Sequence, residues 1–502
     1  MTRSASIARF GGLAVMALGL VGVLLATGWL IAAGQAKVLL IPVAAAGLLA
    51  LALTQRGAFI GIFMLAAMDG LPFFDTSRHV ASKITIEDVA VATLLITAVA
   101  WILFTDNHRP SRLGRMISFA GVLLSLWWTW TVARSWSGEN VSLMHAASFG
   151  RDFGFFALLL VVLPYVRLTN RDIGVLLGVL TAGVCLFAVG QIVIALGIGQ
   201  PGSLIHIQRT LAESGVTRVY ATMTDLVTAG LAVSISACLL ARQRKARLIG
   251  LPVAILLTTS TILQLTRARW IGLVVGLLLV SLWFVLTDDA RIAATLRRRL
   301  MIAIGALVFV GLTVALAAPG IFSSGTIIQR ITSVFTELQT GGGTVAIRET
   351  VTKTMTAYLG EKWPGGFGFL PPATHYFEGL PEGSIRDSDV GVLNAVMTMG
   401  AIGAALIYLP AVAMLIACLR RAPRQRTAPY SWLRYGGAVW IASTLVSSVT
   451  LVTFFSASGL VMTAVFLTVL AHPSVSTARQ AVHMTTSVRS TPTRVLERPL
   501  TT

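Results

Sequence analysis

Charge is what this chain has least of, and negative charge above all. Asp, Glu, Lys and Arg make up 12% of its 502 residues, with 20 acidic against 39 basic. A soluble domain carries about twice that fraction, and no stretch here reads as one. Cysteine is nearly missing too. Cys185, Cys238 and Cys418 each sit in an apolar run, which excludes a disulfide framework and offers no metal-ligand spacing. No internal repeat is visible.

What fills the chain instead is apolar sequence. Hydrophobic residues reach 55% and the mean hydropathy is +0.81. Runs of about 20 apolar residues, enough to cross the hydrocarbon core, fall near 11–33, 38–55, 57–72, 86–104, 116–133, 153–166, 173–198, 221–240, 249–265, 270–287, 300–318, 391–418, 435–450 and 452–470. The expected fold is an all-α polytopic membrane protein with 12–14 transmembrane helices and one large extracytoplasmic loop. Its parts are transmembrane helices over 1–318, a loop domain over 319–390, further transmembrane helices over 391–471 and a Ser/Thr/Arg-rich tail over 472–502, expected to be disordered and cytoplasmic. The first run is too long for a signal-peptide core and lacks a cleavage site, so it reads as the first span.

Charge assigns the sides. With a cytoplasmic N-terminus, 25 of the 39 basic residues but only five of the 20 acidic ones fall inside, leaving that side near +20 and the other near −1. This is the asymmetry of the positive-inside rule. The expected location is a bacterial cytoplasmic membrane with both termini cytoplasmic. The high pI then reflects topology and contact with anionic membrane lipids, not nucleic acid.

The polar minority lies outside. From Pro319 to Val390 the chain carries Arg348, Glu349, His375, Asp387 and Asp389. Ile327, Ile328, Ile331, Val334, Phe335 and Leu338 predict an amphipathic helix over Thr326–Gln339. Ile347, Val351, Met355, Tyr358 and Leu359 predict a second, and Trp363-Pro364-Gly365-Gly366-Phe367-Gly368 a sharp turn. Loops of this length in a compact protein are usually functional or disordered, and the apolar periodicity marks this one as folded. Three more arginines sit at the same side. Arg218 precedes the span from 221, and Arg267 and Arg269 occupy Thr266-Arg267-Ala268-Arg269-Trp270, a connection too short to be a free loop. Guanidiniums held there either snorkel to headgroups or bind an anion bidentately.

The order of these features resembles the O-antigen ligase and polysaccharide polymerase family of bacterial membrane glycosyltransferases. The resemblance covers about Arg218 to Leu409. It rests on Thr266–Trp270, on Arg348 with Pro364-Gly365-Gly366-Phe367-Gly368, and on Asp389-Val390 separated by nine residues from Gly400-Ala401-Ile402-Gly403. It implies a GT-C-like, metal-independent enzyme without cofactors. The donor would be a glycan on a polyprenyl pyrophosphate and the partner an acceptor glycan. Arg218, Arg267, Arg269 and Arg348 would bind the pyrophosphate, and Asp389, Asp387 or His375 would serve the acceptor. The family's ligases carry His where Asp389 stands, which favours a polymerase over a ligase.

Each residue also has a plainer reading. Asp389, or Asp387 with Ser388, would cap the helix starting near Gly391. His375 would be an exposed loop histidine, and Arg348 with Glu349 a helix-surface pair. Asp69, Asp75, His79 and Lys83 would be solvated. Trp127, Trp128 and Trp130 would form an aromatic belt. Asp225, inside an apolar run, needs a partner, and Arg218, seven residues earlier, is the expected one. The rival function is a transporter or flippase of a lipid-linked or anionic solute, which would place broken helices and charges near the midplane. A third is a non-catalytic scaffold for envelope assembly.

Overall fold

The computed structural model describes residues 40–70, 79–81, 84–104, 109–138, 141–198, 209–213, 216–220, 223–264, 266–287, 340, 343–370, 390–420, 429–451 and 456–476. The architecture is helical. In chain order the helices are α1 (Leu40–Thr54), α2 (Arg56–Ala67), α3 (Ile86–Phe104), α4 (Arg112–Gly138), α5 (Leu143–Val162), α6 (Asn170–Ala195), α7 (Thr224–Leu240), α8 (Arg244–Leu263), α9 (Arg267–Thr287), α10 (Gly343–Leu359), α11 (Gly391–Leu419), α12 (Leu433–Ser447), α13 (Ala457–Ala471) and α14 (Pro473–Ser476). Two small antiparallel hairpins join them, β1 (His79–Ala81) with β2 (Ile84–Thr85), and β3 (Arg209–Glu213) with β4 (Val216–Tyr220). Among the described residues, α3, α4, α5, α6, α8, α9 and α11 are long and apolar enough to cross a membrane, while α2, α7 and α13 are shorter apolar helices. The spans read near 11–33 and 300–318, and the helix read over Thr326–Gln339, lie outside the described residues. One further turn, α14, continues past 472 with Val475 buried.

Local sequence explains where helices begin. Thr169 and Asp172 form a capping box on α6: the Asp172 amide donates to Thr169 Oγ1 at 3.2 Å and the Thr169 amide to Asp172 Oδ2 at 2.8 Å. Thr85 and Asp88 repeat the arrangement on α3. Ser142 and Ser456 cap α5 and α13 through the amides of His145 and Gly459. Each such cap satisfies a backbone donor that the helix itself cannot.

Small residues set the closest approaches. A methyl group at Gly276 of α9 would overlap Ser443 of α12, and one at Gly272 would lie 2.5 Å from the Ser443 carbonyl. In lipid no hydrophobic force separates helix–helix from helix–lipid contact, so association depends on such close backbone packing. Large apolar side chains face outward, among them Ile96 at 70%, Leu103 at 68% and Leu286 at 73% exposure, as a lipid-facing surface requires. The fully buried interior holds Phe153, Phe156, Tyr435 and Trp440.

Polar contacts gather helix ends into two groups. At one end Arg56 Nη1 donates to the Arg167 carbonyl at 2.9 Å, Ser111 Oγ to Ala471 O at 2.8 Å, Tyr430 Oη to Asn170 O at 3.0 Å and Arg434 Nη2 to Cys418 O at 2.9 Å. This is the end where the charge count puts the basic residues. The opposite ends of α4, α7, α9, α11 and α13 are joined by a different set of contacts, and these form the candidate site.

Candidate functional site

The first half of the site is a clasp between the loop and a broken helix. Gly400 interrupts α11 with φ 71° and ψ 175°, a region open in practice to glycine alone. The helix would otherwise bond the Ala401 and Ile402 amides to the Met397 and Thr398 carbonyls. Instead the segment after α10 inserts its own backbone. The Phe367 amide donates to Met397 O at 2.6 Å and the Gly368 amide to Thr398 O at 2.8 Å. The Ala401 amide donates to Trp363 O at 3.0 Å and the Ile402 amide to Pro364 O at 3.4 Å. These two carbonyls and two amides are thus satisfied despite the break, as a buried backbone requires.

Helix α4 supports the clasp from the side. Trp127 Nε1 donates to the Met399 carbonyl at 2.9 Å, Arg134 donates to the Gly366 carbonyl, and Ser135 Oγ accepts from the Phe369 amide at 2.8 Å. The Phe369 ring stacks on Phe153 at 5.7 Å, over Gly150. The two glycine motifs read separately in the sequence are therefore one structural unit. Trp128 Nε1 donates to Gly150 O at 2.7 Å, so Trp127 and Trp128 are half-buried donors within the bundle, and of the three tryptophans read as an aromatic belt only Trp130 is exposed. Trp130 lies 4.6 Å from Trp127 and carries Arg134 over its ring at 5.2 Å.

The second expected loop helix is α10. Val351, Met355 and Leu359 pack against Ala395, Val396 and Met397 of α11 and against Phe367. Ile347 and Tyr358, read as part of the same face, are exposed at 60% and 39%: Tyr358 falls off the four-residue stripe, and at Ile347 the stripe has run past the buried contact. Arg348 is half-buried and already engaged. Glu349 pairs with Lys353 at 2.7 Å, one turn on, rather than with Arg348. That ammonium, by hydrogen bond and charge, holds the Glu349 carboxyl below the usual carboxylate range.

The second half of the site is the Thr266–Trp270 turn. Here Arg269 Nη2 donates to Asp225 Oδ1 at 2.8 Å and Nη1 to Gln264 Oε1 at 3.1 Å. Asp225 is buried at the start of α7, and its other oxygen accepts from Ser456 Oγ at 3.3 Å. Behind Gln264 stands Gln191 of α6, whose Oε1 accepts from Ser260 Oγ at 2.5 Å. Trp270 Nε1 donates back to Thr261 O at 2.9 Å. Arg267, half-buried, opens α9 and is engaged as well.

Arg269 is a partner of Asp225 that helical spacing did not offer. Position 218 lies on β4, opposite Leu211, and α7 begins only at Thr224, so Arg218 and Asp225 do not share a helical face. Position 218 is extended strand where helical spacing was assumed. The N-cap position of α11 is Val390, with no side-chain cap. Asp389, Asp387 and His375 lie outside the described residues.

An acidic cluster that sequence reading missed sits beside the β1–β2 hairpin. Arg151 Nε bonds Asp88 Oδ1 at 2.9 Å, with Asp152 at 3.7 Å. Asp69, read as solvated, is 4% exposed and adopts φ 53° at the end of α2. The signal available was Glu87-Asp88 at a helix start, where the dipole favours acids. Among the described residues no group of three His, Cys, Asp or Glu could hold a metal ion.

No family model matches this chain, and no curated protein is similar to it in sequence.

Proposed function

We propose that the chain is a membrane glycosyltransferase, of the polysaccharide polymerase or ligase type, acting on the outer face of a bacterial cytoplasmic membrane. The donor is a glycan on a polyprenyl pyrophosphate and the acceptor a second sugar. The observation that carries this reading is the bracing of Arg269 by Asp225 and Gln264 at the bundle end opposite the basic one. A snorkelling arginine needs no such support; an arginine that must meet a phosphate in one orientation does.

The chemistry follows from charge. As the glycosidic bond breaks, negative charge gathers on the departing pyrophosphate, and the arginines of the turn stabilise it. The acceptor oxygen attacks the anomeric carbon and its proton passes to a carboxylate. Asp389, one residue before the N-cap of α11, is assigned that role. A single displacement inverts the anomeric centre. Asp389 in place of a histidine favours polymerase over ligase.

A transporter is the second reading, and the break at Gly400 favours it, since transporters bind ions at unwound helices. Here, however, the freed carbonyls of Met397, Thr398 and Met399 already accept from Phe367, Gly368 and Trp127, leaving the enzyme reading ahead. Reconstitution with a polyprenyl-pyrophosphate oligosaccharide separates the two. Chain elongation or glycan transfer supports the enzyme. Movement of labelled lipid across the bilayer without transfer would replace it with the transporter.

A further inference from the structure

Four helices converge to hold one guanidinium. Gln264, 1% exposed, and Asp225, 6% exposed, each take one hydrogen bond from Arg269. Gln191, fully buried, lies behind Gln264, and Ser456 of the α13 cap steadies the other oxygen of Asp225. A guanidinium has more N–H donors than these two partners occupy. Among the described residues the rest of the Arg269 fork is uncommitted, and its side chain is 15% exposed.

A pair that served only to tie α7 to α9 would gain nothing from this arrangement. Buried ion pairs contribute little net stability over apolar packing, and Gly276 already packs α9 closely against α12. What the bracing does provide is orientation: the fork is set before any ligand arrives, so no reorganisation is needed when charge develops.

We propose that Asp225 is a positioning residue for a phosphate-binding Arg269, holding one edge of the guanidinium so that the other meets the pyrophosphate of the lipid donor. This rests on the glycosyl-transfer reading. It assigns Asp225 a role that acts through Arg269, without contact to the reacting atoms.

The test uses full-length protein in nanodiscs, with glycan transfer from a polyprenyl-pyrophosphate oligosaccharide and binding of polyprenyl pyrophosphate as separate readouts. Asp225→Asn keeps an acceptor but loses the charge, and lowers kcat about a hundredfold. Arg269→Lys keeps the charge pair but loses the fork, and falls similarly. The exchange Asp225→Arg with Arg269→Asp rebuilds the pair in reverse. It recovers thermal stability lost in Asp225→Asn but not turnover, because the fork now projects from α7. Full turnover in Arg269→Lys or in Asp225→Asn would overturn the proposal, and so would recovery of turnover in the exchanged pair. If the wild type binds polyprenyl pyrophosphate but transfers no glycan, the glycosyl-transfer reading alone fails. The same variants then decide the positioning role by a tenfold or greater loss of lipid affinity, and unchanged affinity sinks it. A wild type that binds no polyprenyl pyrophosphate removes both.

Discussion

Gly366 lies so close to Gly400 that a methyl group on Gly366 would sit 2.5 Å from the Gly400 amide nitrogen, and one on Gly400 would overlap the Pro364 carbonyl. Both residues also have positive φ, 69° and 71°. The two motifs are 34 positions apart in sequence and form a single joint.

That joint fixes the first expectation. Gly400→Ala and Gly366→Ala each combine backbone strain of about 1–3 kcal/mol with steric overlap, and each destabilises the protein by more than strain alone. Because they disrupt the same contact, the double variant is less destabilised than the two losses added together. Thermal unfolding in detergent measures all three. Strictly additive losses would mean that the two glycines act separately.

Trp127→Phe keeps an aromatic ring beside Trp130 and removes the indole N–H from the Met399 carbonyl. Leaving that buried acceptor without its donor costs about 1–3 kcal/mol. Trp130→Phe, which loses no such bond to α11, changes unfolding temperature less. Equal effects would return Trp127 to the aromatic belt.

Gln191 is buried, yet its Nε2 has no hydrogen-bond partner among the described residues. Gln191→Met removes that unsatisfied donor along with the acceptor of Ser260, whose hydroxyl can turn to its own helix. Such a volume-conserving change costs less than about 1.5 kcal/mol. The unfolding midpoint checks this. A loss comparable to that of Asp225→Asn would show that the amide is an essential member of the Arg269 support.

Lys353 lowers the pKa of Glu349, so the pair contributes stability above the unfolded carboxylate pKa and loses it as pH falls through the folded one. Both side chains are exposed, at 75% and 59%, and solvent screening keeps the contribution small. In Lys353→Ala the carboxyl titration of Glu349, followed by NMR, moves back up toward the ordinary value, while unfolding temperature and turnover stay near wild type.

Much of the architecture was written in apolar periodicity. The span read at 86–104 coincides with α3, and α11 ends one residue beyond its reading. The stripe Val351, Met355 and Leu359 announced α10 and its buried face. These features depend on hydropathy and on near-neighbour spacing, which a sequence carries directly.

What the tertiary structure decided is partnership. Helical spacing offered Arg218 to Asp225, but position 218 lies on β4, ahead of the helix that carries Asp225, and the carboxylate pairs with Arg269, 44 positions away. Gly400 lies within an unbroken apolar run, and hydropathy is blind to whether a backbone amide bonds its own helix or another strand of chain. Only the approach of Trp363–Gly368, with Trp127, Arg134 and Ser135 beside it, turns that glycine from a small packing residue into a break. A buried polar group must be satisfied somewhere, and the sequence states that requirement at Asp225 and at the glycines; which atoms meet it is settled only when distant segments fold together.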